Sequence, residues 1–165
     1  MANDSDSKSR RSVVPRVFQW EMVRKALRAA EEGVYCWNLE DNEIFYTEQC
    51  VKMMGMAYDE WAPNIFTEPE KTVHPDDIAF FRQTIHRYLN KPTNAVNPLR
   101  VEFRLLNLRS RGWKWIRVNG MLEYGPDKKP TRLVGVWVDI TRRKMADMHA
   151  MEDRDLFRTL INCLP

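Results

Sequence analysis

The sequence predicts an α+β domain: a five-stranded antiparallel sheet with short helices on one face, an N-terminal flanking helix and a C-terminal linker helix. Three observations carry that prediction. Strand-like alternation falls in two separated groups, residues 34–47 and 99–140, with helical stretches between them. Strands, then helices, then strands argue for an antiparallel sheet rather than a chain of parallel βαβ units. The last strand-like run, Leu133-Val-Gly-Val-Trp-Val-Asp-Ile-Thr141, then passes without a loop into the charged helical stretch Arg142-Arg-Lys144.

The elements follow in order. Residues 1–14 form a polar leader, expected to be disordered. A flanking helix is expected over 15–32, with Pro15 tolerated in its first turn and Gly33 as its stop. Trp20, Val23, Leu27 and Ala30 fall on one face of it. That stripe must pack on its own sheet or on a partner, which makes these four the candidate dimer-helix residues. Residues 34–39 and 43–47 read as a hairpin around Glu40-Asp-Asn42. A short helix over 48–54 ends at Gly55, and Tyr58-Asp-Glu-Trp61 reads as a further helical turn. Asp76 or Asp77 caps the helix 78–89, whose apolar stripe is Ile78, Phe81, Ile85 and Leu89. Strands are expected over 99–108, 113–124 and 131–140, with turns at Ser110-Arg-Gly112 and Gly125-Pro-Asp-Lys128. The two strand groups must join edge to edge to make one sheet. From Thr141 the composition favours helix.

Composition narrows the function. Hydrophobic residues make up 44% and charged ones 30%, which suits a globular domain. The net charge of +3 is too small and too dispersed to argue for nucleic acid. No apolar run is long enough to span a bilayer and no apolar signal region is present, so the expectation is cytoplasmic with no membrane partner. Cys36, Cys50 and Cys163 give neither a metal spacing nor a disulfide framework and read as reduced thiols.

The element order resembles the PAS fold, and four motifs resemble the branch common in bacterial sensor kinases and cyclic-di-GMP enzymes. Ala29-Ala-Glu-Glu-Gly-Val-Tyr-Cys-Trp-Asn38 is similar to its entry. Val73-His-Pro-Asp-Asp77 is similar to its helix start. Glu102-Phe-Arg104 with Trp113-Lys-Trp-Ile-Arg117 is similar to its central hairpin. Gly135-Val-Trp-Val-Asp-Ile-Thr141 is similar to its exit. The resemblance covers about residues 26–144 and places the domain at 33–141. Residues 142–165 are then a linker helix, and 155–165 are similar to the opening of a second PAS domain. The resemblance implies a sensory input module of a longer bacterial protein, working as a homodimer and feeding a histidine kinase or a cyclic-di-GMP enzyme. Asp139, Ile140 and Thr141 are its implied signal-transmission residues.

Chemistry is sparse. The three histidines, His74, His86 and His149, sit in no nucleophile motif, and the six glycines form no phosphate loop. No enzyme activity is expected within the chain. Some PAS domains bind haem through a histidine on the longer helix. His86 lies one residue off the apolar stripe, so a surface histidine is the favoured reading, and no tightly bound cofactor is expected. Cys50, in Thr47-Glu-Gln-Cys-Val51, departs from the Asn-Cys-Arg motif of related light sensors. A small-molecule pocket stays open between the concave sheet face and the helices. Its candidate lining is Trp37, Phe45, Met53, Trp61, Phe66, Phe81, Ile85, Phe103, Trp115 and Trp137. The competing reading is that these side chains fill a core by themselves, which leaves a ligand-free interaction module. Asn38, Arg104 and Arg117 are expected on the solvent face.

Overall fold

The computed structural model describes residues 16–57, 60–90 and 97–162. The leader 1–14, Tyr58, Asp59 and Cys163 lie outside the described residues, as do the side chains of Trp20 and of 155–165. The chain runs through α1 (Arg16–Ala29), β1 (Gly33–Asn38), β2 (Ile44–Tyr46) and α2 (Glu48–Met53). It continues through α3 (Pro75–Leu89), β3 (Leu99–Leu106), β4 (Trp113–Tyr124), β5 (Pro130–Asp139) and α4 (Thr141–Asn162).

Period-two burial builds the sheet. In β1 and β3 every second residue is buried, because successive side chains leave a strand on opposite faces and only one face meets the helices. The strand order is β2-β1-β5-β4-β3, all antiparallel. The two strand groups therefore join edge to edge, through β1 against β5. The inner face carries Tyr35, Trp37, Val101, Phe103, Ile116, Val118, Leu133 and Trp137, all buried. From α2 and α3, Cys50, Val51, Met53, Phe81, Ile85 and Tyr88 close onto it.

Two helix boundaries differ from the sequence expectation. The flanking helix is not stopped by Gly33. It ends at Ala29, and Glu31 takes the left-handed conformation (φ 55°) that turns the chain. Gly33 instead opens β1, where a Cβ would lie 2.8 Å from the backbone nitrogen of Cys50. Gly55 does end α2, with a φ of 73° that favours glycine.

The cap of α3 also differs. His74, not an aspartate, is the capping residue: its Nδ1 accepts from the Asp76 backbone N–H at 3.2 Å. Asp77 serves a different purpose. Its carboxylate accepts from the Arg104 backbone N–H at 2.8 Å and takes the Arg104 guanidinium at 2.9 and 2.7 Å. The His74 N–H donates to the Arg104 carbonyl, and the Leu106 N–H to the Thr72 carbonyl. The outer edge of β3 is thereby covered, which removes a template for unwanted strand pairing.

Candidate functional site

Seven of the ten candidate pocket residues meet in one buried cluster: Trp37, Met53, Phe66, Phe81, Ile85, Phe103 and Trp137. They pack on one another. Trp37 stacks on Phe66 with centroids 4.9 Å apart and planes 6° from parallel. Phe66 stacks on Phe81 at 6.0 Å, and Phe81 meets Phe103 edge-on at 4.8 Å. Offset and edge-on rings are the favoured geometries of aromatic pairs, so this series is a packed interior in its own right. Among the described residues the Trp137 indole N–H has no hydrogen-bond partner, and its ring meets Tyr46 at 5.3 Å.

The other three candidates do not belong to that space. β2 is only three residues long, and Ile44 and Tyr46 take the inner face. Phe45 is therefore left on the outer face, 63% exposed, opposite Cys36. Trp115 pairs with Arg104 in register, while Ile116 pairs with Phe103. That register puts Trp115 on the outer face, with the Arg104 guanidinium 5.5 Å and the Lys144 ammonium 4.8 Å from its ring. Trp61 lies in the loop before Ala62 and is 71% exposed. His86 is exposed on α3, so it is on the surface and not against the core. Of the candidate dimer-helix residues, Val23 and Ala30 are exposed and Leu27 is half-buried.

Several buried groups carry no sequence signal beyond their aromatic character. The hydroxyls of Tyr35, Tyr46 and Tyr88 donate to the carbonyls of Asn119, Pro63 and Gly120. Burial pushes Tyr35 and Tyr46 up, far from any physiological ionisation. Burial likewise pushes the Cys50 thiol up to about 12, which makes it an inert packing group and not a nucleophile.

A second polar network lies at the exit. The Ile140 N–H donates to the Trp115 carbonyl at 2.8 Å, and the Trp115 N–H donates to Thr141 Oγ1 at 2.9 Å. Asp139 accepts from the Thr141 N–H at 3.0 Å and from Lys114 Nζ at 2.9 Å. Glu102, on β3, pairs with Lys144 at 2.7 Å and with Arg143 at 3.2 Å. Ile140 is buried. The first turn of α4 is thus fastened to both β4 and β3. The three carboxyls concerned with these outer ties are all held below the ordinary range. Arg104 lowers Asp77, and Lys144 lowers Glu102. At Asp139 partial burial acts upward, but hydrogen bonds from Thr141 and Lys114 outweigh it.

Comparison with known proteins agrees with this geometry. The family model described as the PAS fold matches residues 43–137. The chain belongs to the PAS family. A two-component sensor, PprA of Pseudomonas aeruginosa, is 22% identical over 146 residues, which is 87% of this chain. The chain spans 15% of that sensor's length. A sensory box histidine kinase/response regulator from Burkholderia thailandensis superposes with a TM-score of 0.68 at 24% identity, covering 83% of this chain and 98% of that one. The N-terminal domain of a diguanylate cyclase with a PAS/PAC sensor from Marinobacter aquaeolei gives 0.53 at 16%, covering 68% and 98%. These likenesses establish the five-stranded PAS architecture. No helix among the described residues is long and apolar enough to cross a membrane.

Proposed function

We propose that this PAS domain is the sensory input module of a bacterial signal-transduction protein. A change in its sheet passes through β5 and Asp139-Ile-Thr141 into α4, and from there to a histidine kinase or cyclic-di-GMP output domain. The observation that carries the reading is the fastening of the first turn of α4 to two strands at once, through Thr141 and Glu102. A helix held at its base by neighbouring strands must follow their relative movement. The named relatives, a two-component sensor and a diguanylate cyclase with a PAS/PAC sensor, support the class of output. A stimulus can shift such a module only by its differential affinity for two states.

The module acts without catalysis of its own, in the cytoplasm, as a homodimer. The dimer reading is supported by apolar surface at both candidate contact regions. On α1, Met22 and Val23 are exposed; on the outer sheet face, Phe45, Cys36, Val134 and Met121 form one register row, with Phe45 and Met121 exposed. The test is Asp139→Asn and Thr141→Ala in the signalling protein that carries the module. Output activity should change in at least one of them, and unchanged output in both defeats the transmission reading.

A second reading has its own observation. The aromatic series from Trp37 to Phe103 fills the space between sheet and helices by mutual stacking. That favours a ligand-free dimerization module over an interior ligand site. Native mass spectrometry separates the two: a retained mass supports sensing in the interior, and a bare dimer supports the interaction reading.

A further inference from the structure

Outside the aromatic interior, β2 and the segment that follows Glu60 bound an open groove of about 590 Å³. Glu43, Phe45, Glu60 and Trp61 line it, above a floor that includes Asn42 and Asn64. The floor is built into the fold. The buried Asn64 amide donates to the Asn42 carbonyl at 3.2 Å and to its side-chain oxygen at 3.3 Å. The same Asn42 oxygen accepts from the Trp37 indole N–H at 2.9 Å, and Asn64 Oδ1 accepts from the Phe66 N–H at 3.0 Å. The groove is therefore tied to the core stack through two residues of that stack. A floor fixed in advance reduces the ordering cost of binding.

The walls have a consistent chemistry. Trp61, 71% exposed, holds a large apolar ring in water, whereas the Phe45 ring lies on the outer sheet face and only borders the groove. Glu43 and Glu60 are among the residues that line the groove, and that lining contains no Lys or Arg. Neither carboxylate is ion-paired among the described residues, although Glu60 accepts from the Ala57 N–H at 3.0 Å. Trp61 already attracts a cation: Lys71 Nζ stands 4.9 Å from its ring centroid, neutralised by Glu68 at 2.7 Å. An exposed aromatic face beside carboxylates that carry no ion pair suits an organic cation. An added peptide strand is the less suitable occupant, because β2 offers an edge of only three residues. The volume lies in the range of small-molecule sites.

We propose that this groove binds a small organic cation, an ammonium or guanidinium on an apolar or aromatic body. The proposal does not depend on signal transmission, because binding is read on this chain alone. The experiment is an NMR titration of the isotope-labelled chain with phenethylammonium, and with 2-phenylethanol and 3-phenylpropionate as its neutral and anionic counterparts. Phenethylammonium should give saturable shifts at the Trp61 indole N–H and at the Phe45 amide. The neutral probe should bind about 2- to 5-fold more weakly, and the anion more weakly still. Glu43→Gln with Glu60→Gln should lower the affinity for phenethylammonium to that for the neutral probe. Trp61→Ala should remove binding. These side chains are exposed, so the variants should keep the wild-type spectrum elsewhere. The proposal is overturned if the three probes bind alike, if the shifts centre on Trp137 in the core, if the double Gln variant binds phenethylammonium as tightly as the wild type, or if no saturable shift appears up to tens of millimolar.

Discussion

The two faces of this one sheet are held by different physics. On the inner face, Phe103, Ile116, Val118 and Trp137 are fully out of water and are fixed by volume. On the outer face, one residue away along the same strands, Glu102, Arg104 and Trp115 are half-buried and are fixed by charge and hydrogen bonds. Close-packed interiors resist change, whereas partly solvated pairs exchange with water at small cost. The helix that leaves the domain is fastened to the second kind of face. On the transmission proposed above, α4 would move with these outer ties while the core stays packed.

Matched substitutions sharpen that contrast. Phe81→Ala removes a ring in contact with Phe66 and Phe103, and should cost about 3–5 kcal/mol in chemical denaturation. A loss below about 1 kcal/mol would mean that the interior collapses around the gap and is not closely packed.

Acid should act next, and on the outer face first. Asp77, Glu102 and Asp139 all have folded-state pKa values below their unfolded ones. Their contribution is fully present above the unfolded carboxylate range, about pH 4 to 4.5, and is lost as the pH falls through the lowered folded values. The amides at the start of α4 should therefore lose hydrogen-exchange protection as the pH falls below about 4, while those of β4 and β5 keep theirs. Glu102→Gln should remove part of that dependence. Simultaneous loss in α4 and in the sheet would break the proposed separation of the faces.

The smallest effect belongs to Phe45. Phe45→Ala should leave stability within about 0.5 kcal/mol, because the ring lies mostly in water. If the outer row is the dimer contact, sedimentation should nevertheless report weaker self-association. A large loss of stability would place Phe45 in the packing after all.

The fold was legible because its signals are periodic. Val101, Phe103 and Leu105 against Glu102 and Arg104 identify a half-buried strand, and all three lie on the inner face. The site was legible only in part. Counting Phe45 and Trp115 among the pocket candidates sets aside the period that identifies the strands. Ile116 and Val118 claim the inner face of β4, so Trp115 must lie on the other. The same logic applies to Phe45 between Ile44 and Tyr46. Other contacts had no local signal. Glu102 meets Lys144 across 42 positions of sequence, and Asp77 meets Arg104 across 27, through a register that only the folded sheet defines. The Asp76-Asp77 pair reads as a cap by spacing, but the adjacent histidine takes that place and frees Asp77 for the edge of β3.

The central claim is that Asp139 and Thr141 fasten α4 to the sheet as a separable joint. Native-state hydrogen exchange on Thr141→Ala and Asp139→Asn tests it most directly. The Lys144 amide, which donates to the Ile140 carbonyl at 2.9 Å, is the reporter at the base of the helix. Losing the acceptor for the Trp115 N–H should cost about 1 kcal/mol locally. Exchange should be faster at Lys144 and its neighbours in α4, with Phe103, Val118 and Trp137 unchanged. Exchange that stays at wild-type rates in α4, or that rises equally in α4 and in the core strands, would contradict it.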